Sequence, residues 1–307
     1  MKILLTGLSS FTGAWFARTC CEHGHEVLGT LRRSRTSYDG MRAQRIDMAV
    51  NAGASLLEGC AFGDDRFLAA IEPGLDAICH HAADVTDYQS LDFDVHAATA
   101  ANTSRARQVM DRAAGAGVAT FVATGSVFEQ DEGLGSQPMH AFSPYGLAKG
   151  LSWQIMRYWA GRAGLPIGKF VIPNPFGPLE EARFCAYLMR TWVKGEAASI
   201  RTPAYVRDNI PVDLLARAYV HFVEQCASMR SDARLNPSGY VESQGRFAER
   251  FAAEIGGRLG LEARLDLTAQ TEFPEPAMRI NADRTSYGWD ERAFWDSAAS
   301  YYRQTYC

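Results

Sequence analysis

Tyr145 and Lys149 have the side-chain types and the spacing that acid–base chemistry needs. The two residues lie four positions apart in the segment Ser-Pro-Tyr-Gly-Leu-Ala-Lys-Gly, residues 143–150. On a helix this spacing places both side chains on one face, one turn apart. A phenol titrates near ~10 in water, and a nearby ammonium lowers that pKa by favouring the phenolate. The pair therefore predicts a tuned proton donor or acceptor, although an exposed helix face with an unrelated Tyr and Lys would look the same.

The elements that must position this pair alternate along the chain. Ser143 and Pro144 suit the N-cap and the first turn of a helix that carries both residues. Strand-like runs occur at residues 2–6, 27–31, 76–83, 120–124 and 166–172, and helical patterns begin near Trp15, span residues 94–116 and begin again at Pro144. Strands and helices in this order predict an α/β fold with a Rossmann-type doubly wound parallel sheet.

Length, composition and charge exclude several classes of protein. The chain has 307 residues, a formal net charge of −4, and 47% hydrophobic and 21% charged residues, which is ordinary for a soluble globular protein. No apolar run approaches the ~20 residues of a membrane span, and the N-terminus lacks the pattern of a signal peptide. Seven cysteines without a Cys-x-x-Cys pair suggest reduced thiols. We therefore expect a cytoplasmic protein with no nucleic-acid partner and no membrane association.

The first strand leads into a glycine turn that suits an anionic ligand. Gly7 begins this turn, Gly13 ends it, and a helical pattern follows at once. Backbone N–H groups and the helix dipole at a strand–turn–helix junction attract a pyrophosphate. The residues predicted to bind a dinucleotide here are Gly7, Ser9, Ser10, Phe11, Thr12 and Gly13.

The end of the second strand bears on the choice of dinucleotide. Arg32 and Arg33 follow this strand, and residues 27–37 contain no Asp or Glu. An acid at this place binds the ribose hydroxyls of NAD, whereas basic residues suit the extra phosphate of NADP. The pattern favours NADP, with NAD as the alternative, although a solvated basic strand end would look similar. We also place Gly63 and Asp64 at a strand end that faces the adenine.

Small residues end the predicted strand at residues 76–83. Ala82 and Ala83 let the backbone approach a cofactor closely. His80 and His81 precede them, but no further His, Cys or carboxylate stands nearby at metal-ligand spacing. We therefore predict no metal site and a structural role for both histidines.

The pattern changes after Pro173. Helices and short strands then alternate without regular strand–helix units, which predicts a smaller interleaved C-terminal α/β substrate domain. We assign residues 1–172 to the dinucleotide-binding domain, with a later segment at about 208–230 returning to it, and residues 173–307 mainly to the substrate domain. Helices are predicted from residue 211 through Val223, after a possible cap at Ser243, and at residues 290–306.

In order and spacing, these motifs resemble those of the extended short-chain dehydrogenase/reductases, in the branch that acts on nucleotide sugars. The resemblance covers nearly the whole chain. Its motifs are Thr6-Gly7 with Phe11-Thr12-Gly13, His80-His81-Ala82-Ala83, Thr124, the pair Tyr145 and Lys149, Asn174-Pro175-Phe176-Gly177-Pro178, Arg207-Asp208-Asn209-Ile210-Pro211-Val212, Ala282-Asp283 and Gly288-Trp289. None of these motifs is decisive alone, but together they are specific.

The resemblance implies roles for individual residues. Tyr145 would be the catalytic acid–base, and Lys149 would lower its pKa and hold the nicotinamide ribose. Thr124 would replace the usual serine at the reacting carbonyl. Arg207 would bind the diphosphate of the substrate unless it pairs with Asp208. Further cofactor contacts are implied for His81, Ala82, Ala83 and Pro173, and further substrate contacts for Thr124, Ser126 and Asn174. A homodimer is common among proteins of this family, and we expect one here.

Several positions depart from the pattern of the family. Ser10 replaces the middle glycine of the turn, and its hydroxyl could donate to a phosphate oxygen. Gly125 and Ser126 follow Thr124 where 4,6-dehydratases carry acidic residues that expel water from the sugar, which argues against dehydration. In the family's Val-Tyr-Gly run the last two residues are Phe128 and Glu129 here. Pro211 replaces a histidine of the Arg-Asp motif.

These observations lead to one main hypothesis about function and two alternatives. The main hypothesis is an NADP-dependent oxidoreductase that reduces a nucleotide-linked 4-keto sugar, or catalyses the reverse oxidation. The first alternative is an NAD(P)-dependent nucleotide-sugar 4-epimerase. The second is a regulatory protein that binds the cofactor without catalysis, but such a protein would not need Thr124, Tyr145 and Lys149 together.

Overall fold

The structure is a computed structural model that describes all 307 residues, from Met1 to Cys307. Its strands are β1 (Lys2–Thr6), β2 (Glu26–Leu31), β3 (Ser55–Glu58), β4 (Ala77–His80), β5 (Thr120–Ser126), β6 (Leu134–Gly135), β7 (Ile167–Ile172), β8 (Asn174–Phe176), β9 (Ala198–Ile200), β10 (Val206–Pro211), β11 (Ala233–Leu235), β12 (Pro237–Ser238), β13 (Tyr240–Ser243), β14 (Leu265–Leu267), β15 (Arg279–Ile280) and β16 (Asp283–Arg284).

The α-helices are α1 (Phe11–Glu22), α2 (Gly40–Asn51), α3 (Asp65–Ala69), α4 (Val95–Asn102), α5 (Ala106–Gly115), α6 (Pro144–Ala163), α7 (Phe184–Val193), α8 (Val212–Met229), α9 (Gln244–Phe251), α10 (Gly257–Leu259) and α11 (Glu291–Tyr306). A 3₁₀ turn at Arg35–Ser37 and a π-helical segment at Ala252–Gly256 complete the elements. None of the helices combines the length and the hydropathy that crossing a membrane requires.

The chain divides into two compact units. Unit 1 comprises Met1–Glu132, Pro138–Ile172 and Ala216–Asn236, and unit 2 comprises Gly133–Gln137, Pro173–Leu215 and Pro237–Cys307. The chain therefore leaves and re-enters each unit more than once.

A seven-stranded sheet forms the centre of unit 1. Its strand order is β11-β7-β5-β4-β1-β2-β3, and every neighbouring pair is parallel. The predicted doubly wound parallel sheet is thus confirmed. The order reverses between β1 and β4, and ligands bind beyond the carboxyl ends of the strands at such a reversal. The glycine turn after β1 and the histidines at the end of β4 both lie at this point.

Helices cover both faces of this sheet, which explains why its central strands are almost wholly buried. All seven residues of β5 are buried, as are the first five of β7. On one face Phe121 and Ile78 pack with side chains of α5 and α6. On the other face the rings of Phe16 and Tyr219 stack at a centroid distance of 3.9 Å.

The predicted helix at residues 94–116 is two helices in the structure. α4 ends at Asn102 and α5 begins at Ala106, and Arg105 between them adopts a left-handed conformation with φ 50°. The break brings the Ser104 carbonyl against Gly63, where a Cβ would lie 2.0 Å from the Ser104 oxygen. A contact between distant segments therefore interrupts a helix that the local pattern predicted as continuous.

Unit 2 contains a small mixed sheet and an aromatic core. β10 pairs parallel with β8 and antiparallel with β13. Three further strand pairs lie outside this sheet. β9 with β14 and β12 with β16 are parallel, and β6 with β15 is antiparallel. The core of the unit includes Phe176, Phe251 and Trp295, the last from α11. α8 extends to Met229, six residues beyond its predicted end.

Candidate active site

The glycine turn after β1 is built for close approach between α1 and the end of β4. A Cβ on Gly7 would lie 2.9 Å from the Ala82 nitrogen, and one on Gly13 would lie 2.2 Å from the Gly7 oxygen. Both positions therefore require glycine. The first N–H groups of a helix have no acceptor within the helix, so those of Phe11 and Thr12 at the start of α1 are suited to bind a pyrophosphate. The turn thus fits a dinucleotide.

Ser10 stabilises the glycine turn through its own hydroxyl. It is the N-cap of α1, where its Oγ accepts a hydrogen bond from the Gly13 N–H at 3.1 Å. The same hydroxyl donates to the Gly7 oxygen at 2.8 Å. Its hydrogen is therefore engaged inside the turn, and donation from Ser10 to a phosphate oxygen stays a prediction.

His80 and Thr6 fix the backbone at the end of β4. His80 Nε2 donates to the Asn102 carbonyl at 3.0 Å, so Nδ1 accepts the hydrogen bond from Thr6 Oγ1 at 2.9 Å. Thr6 Oγ1 in turn accepts from the N–H groups of His81 and Ala82, at 3.0 and 2.9 Å. This agrees with the structural role predicted for His80, whereas the part played by Thr6 was not foreseen.

His81 connects the glycine turn to Thr124. Its Nε2 lies 3.1 Å from Ser10 Oγ and 3.0 Å from Thr12 Oγ1, and its Nδ1 lies 3.2 Å from Thr124 Oγ1. Because the Ser10 hydrogen is engaged by Gly7, the network assigns the ring proton to Nε2 and makes Nδ1 an acceptor. Thr124 therefore donates its hydroxyl hydrogen to His81.

The charge of both histidines follows from their surroundings. Burial first, and then the positive charge of Lys149, lowers the pKa of His80 and of His81 to about 3. Both rings are accordingly neutral at physiological pH. His81 can then act as a neutral acceptor, which the orientation of Thr124 requires.

The helix α6 presents Tyr145 and Lys149 as predicted. Ser143 is its N-cap and accepts from the Gly146 N–H at 3.3 Å, and Pro144 occupies its first turn. Lys149 Nζ donates to the carbonyl of Thr124. The pKa of Lys149 is lowered to about 8, mainly because the side chain is buried, while the charge of Glu129 raises this pKa and the charge of Lys169 lowers it. The ammonium therefore lies beside Thr124 of β5, one helical turn from Tyr145.

Aromatic side chains hold the ring of Tyr145. The ring lies edge-on to Phe93 at 6.0 Å and to Tyr88 at 5.6 Å between centroids. Phe93 is itself buried with Ala98 of α4 and Ala148 of α6. This packing limits the rotation of the phenol.

The predicted adenosine contacts lie on exposed segments. Arg32 and Arg33 are both exposed after β2, and the Arg33 guanidinium lies 4.9 Å from the centroid of the Tyr38 ring. Asp64 does not follow a strand, because β3 ends at Glu58. It is instead the N-cap of α3, and its two oxygens accept the Phe67 and Ala61 N–H groups, both at 2.7 Å. The cofactor role of these three residues stays a prediction.

The predicted substrate residues of unit 2 lie on neighbouring strands. Asn174 of β8 pairs with Asn209 of β10, two positions after Arg207. Arg207 does not pair with Asp208. Its guanidinium donates to Glu275 Oε2 at 3.0 Å and to three backbone carbonyls, those of Val206, Pro276 and Ala277. Pro173 is buried directly before β8, and Ser126 ends β5 in unit 1.

Two charged residues near Lys149 were missed as functional candidates. Lys169 lies within the buried strand β7, and Glu129 follows β5. Lys169 Nζ lies 2.6 Å from Glu129 Oε2. A lysine in the apolar run Ile-Gly-Lys-Phe-Val-Ile was the available signal, since such a residue must find a buried carboxylate. No group of three or more His, Cys, Asp or Glu side chains has a geometry that could hold a metal ion.

Comparisons with known proteins identify the family of this chain. The sequence profile of the NAD dependent epimerase/dehydratase family matches residues 3–236. The chain therefore belongs to this family, and it is an enzyme of the extended short-chain dehydrogenase/reductase type. No curated protein shows significant sequence similarity to it.

Solved structures share the fold over the full chain at low sequence identity. A mutant UDP-glucuronic acid 4-epimerase from Bacillus cereus, in complex with a fluorinated UDP-glucuronic acid and NAD, is 15% identical, with a TM-score of 0.77 and 100% of each chain covered. UDP-glucose 4-epimerase from Stenotrophomonas maltophila, with bound NAD, is 18% identical, with a TM-score of 0.76 and 99% and 98% covered. The dTDP-glucose 4,6-dehydratase DesIV from Streptomyces venezuelae is 18% identical, with a TM-score of 0.74 and 99% and 97% covered.

Proposed function

We propose that this enzyme moves hydride at C4 of a nucleotide-linked sugar and that it works as a 4-epimerase. The observation that carries the proposal is the position of Lys149, whose ammonium binds the carbonyl of Thr124 one helical turn from Tyr145. A phenol beside an ammonium can exchange a proton with a sugar hydroxyl at neutral pH.

The residues of the chain handle the proton and the orientation of the sugar. A nicotinamide dinucleotide, when bound at the glycine turn, supplies the site that takes and returns the hydride. The Tyr145 phenolate would accept the proton of the C4 hydroxyl as the C4–H bond breaks, and the phenol would return that proton when the bond forms again. Thr124, which donates to His81, would accept a hydrogen bond from Tyr145 or from the substrate hydroxyl.

Two further observations favour epimerisation over dehydration. Gly125 and Ser126 follow Thr124, so the positions beside it offer no acid to expel water from the sugar. Among the structural neighbours, those from B. cereus and S. maltophila are 4-epimerases that bind NAD. In unit 2, Arg207 and Asn174 on neighbouring strands offer a cation and an amide for a nucleoside diphosphate.

The test is an incubation of the purified protein with UDP-glucose or UDP-glucuronic acid and no added nicotinamide. The expected result is partial conversion to the C4 epimer without net consumption of cofactor, and no conversion by a Tyr145→Phe variant. If neither sugar yields its epimer, and an excess of added NAD does not change this result, 4-epimerisation of these sugars is rejected.

A second candidate function is reduction of a nucleotide-linked 4-keto sugar with NADPH. The observation in its favour is the exposed pair Arg32 and Arg33 after β2, with no acid in residues 27–37 to bind two ribose hydroxyls. An epimerase recycles its cofactor and gains nothing from the extra phosphate, whereas a reductase spends NADPH.

This candidate is tested with dTDP-4-keto-6-deoxyglucose and either reduced cofactor. The reductase hypothesis predicts a higher kcat/KM for NADPH than for NADH, and loss of that preference in an Arg32→Ala/Arg33→Ala double variant. Equal or better use of NADH by the wild-type enzyme would contradict both the cofactor prediction and the reductase hypothesis.

A further inference from the structure

A buried ionic cluster lies beside the site in unit 1. It consists of Glu129, Glu132 and Lys169, whose side chains are 1%, 2% and 3% exposed. Lys169 Nζ binds Glu129 Oε2 at 2.6 Å and also binds Glu132. Removing charges from water is costly unless they are paired with good geometry, so a cluster of this kind needs a reason beyond stability.

The carboxylate of Glu129 lies between β5 and α6, beside Gly150, the residue that follows Lys149. A Cβ on Gly150 would be 3.9 Å from Glu129 Oε2, and one on Gly125 would be 3.0 Å from Oε1. The Ser126 N–H donates to Oε1 at 2.7 Å and fixes the orientation of the carboxylate. Glu129, Lys149 and Lys169 also line one small internal cavity, whereas Glu132 does not.

The charges that face Lys149 at neutral pH come from two residues of this cluster. His80 and His81 of the β4 end also face it, but their pKa of about 3 leaves both rings neutral. Among the remaining charges, Glu129 raises the pKa of Lys149 and Lys169 lowers it. Burial and repulsion from Lys169 both lower the pKa of Lys149, and Glu129 counteracts these two effects.

We propose that Glu129 is a positioning residue that keeps Lys149 an ammonium at neutral pH, and that Lys169, held by Glu132, limits the strength of this effect. Lys149 would in turn favour the phenolate of Tyr145, and this consequence rests on the proposed function. Glu129 acts only through Lys149 and does not touch the reacting atoms.

The chain offers an unusually direct test, because it contains four lysines, Lys2, Lys149, Lys169 and Lys194. Labelling with [¹³C]lysine gives four side-chain NMR signals whose pH titration can be followed in the protein without substrate. A Lys149→Arg variant identifies the signal of Lys149 by its absence. The measurement needs no activity, so it is independent of whether the enzyme epimerises or reduces a sugar.

Glu129→Gln keeps the size of the side chain and an oxygen that can accept from Ser126, but it removes the charge. We expect the midpoint of the Lys149 signal to fall from about pH 8 by about one pH unit or more. The matched control is Glu132→Gln, which removes a carboxylate from the same lysine outside the cavity and should shift the midpoint by less than half as much. Each variant leaves Lys169 with one carboxylate.

A third variant should raise the midpoint of Lys149 instead of lowering it. Adding Lys169→Met to Glu132→Gln removes one charge of each sign and leaves Glu129 facing Lys149 alone. The midpoint of Lys149 should then lie above that of Glu132→Gln.

An unchanged midpoint in Glu129→Gln, or an equal shift in Glu132→Gln, would overturn the proposal even if the enzyme is an active epimerase. Conversely, the expected shifts in a protein without epimerase activity would reject the proposed function alone.

Discussion

Thr124 shows how a single hydrogen bond constrains the chemistry of a residue. Its hydroxyl hydrogen is directed to His81 Nδ1, because the other ring nitrogen faces Ser10 and Thr12. The threonine can therefore accept from a substrate hydroxyl more readily than it can donate to a substrate carbonyl. Sequence predicted that Thr124 belongs to the site, but the direction of its hydrogen bond depends on a histidine 43 positions away.

The hydroxyl of Tyr145 is the group whose loss should matter most. Tyr145→Phe should reduce turnover of UDP-glucose on the order of a hundred- to ten-thousand-fold while the cofactor still binds, because only the proton-transfer group is lost. Tyr158→Phe is the matched control, since Tyr158 lies on the same helix and is 59% exposed. Steady-state rates and cofactor titrations of both variants test this prediction. A Tyr145→Phe enzyme that retains more than about a third of the rate would remove Tyr145 from the mechanism.

Arg207 pairs with Glu275, and we expect the diphosphate of a substrate to displace this carboxylate. The Arg207 side chain is 13% exposed and that of Glu275 is 57% exposed, so the carboxylate can leave while the guanidinium stays. Arg207→Ala should weaken UDP binding about ten- to a hundred-fold, which corresponds to roughly 1.5–3 kcal/mol. Glu275→Gln should strengthen it, because a competing anion is gone. Calorimetry with UDP measures both, and unchanged binding in both variants would make this pair purely structural.

At the scale of elements, the packing of α1 depends on the absence of a side chain at Gly13. A Cβ there would lie 2.2 Å from the Gly7 carbonyl oxygen, so Gly13→Ala must displace the helix N-terminus from the turn. We expect at least a tenfold loss of NAD affinity, because the N–H groups of Phe11 and Thr12 lose their alignment. Gly161→Ala in α6 is the control, since a Cβ meets nothing within 4 Å there.

The Gly161→Ala control should itself change the stability of the protein. Alanine loses less backbone entropy than glycine in a helix, so Gly161→Ala should raise the free energy of unfolding by about 0.5–1 kcal/mol. Thermal melting and NAD titration of the two variants separate loss of the turn from a general effect of alanine. Equal NAD affinity in Gly13→Ala and wild type would show that the turn does not hold the dinucleotide.

The elements divide into those that local patterns predict and those that depend on distant contacts. Apolar runs predicted β1, β2, β4, β5 and β7, and cap residues predicted the start of α6. The pattern at residues 40–58 revealed neither α2 nor β3, whose four residues are all at least partly exposed. The break between α4 and α5 and the pairing of Lys169 with Glu129 were also missed, because each depends on residues about 40 positions apart.

At the scale of the whole molecule, stability should depend on pH through a carboxyl buried in unit 2. Glu180 accepts a hydrogen bond from Tyr302 Oη at 2.7 Å, and burial raises its pKa to about 7. In the unfolded chain the same carboxyl releases its proton near ~4.5. Between these two values the native state holds a proton that the unfolded state has lost. The free energy of unfolding should therefore fall as pH rises through this window.

The expected fall is on the order of 3 kcal/mol between pH ~4.5 and ~7, with no further contribution from Glu180 above that range. Glu180→Gln should flatten this part of the profile, because the amide does not titrate. Glu196→Gln, at an exposed position, should leave the profile unchanged. Urea unfolding at several pH values measures the slopes. Identical slopes in wild type and Glu180→Gln would show that Glu180 does not retain its proton in the native state.

The interleaved course of the chain limits how such an enzyme can evolve by recombination. The chain crosses between the two units five times, after residues 132, 137, 172, 215 and 236. A recombination event with one breakpoint cannot exchange unit 2 for that of a relative, because three separate segments would have to be inherited together. If unit 2 binds the substrate as we propose, new substrate preferences should arise by point substitution within Asn174–Phe176 and Val206–Pro211 rather than by transfer of an intact module.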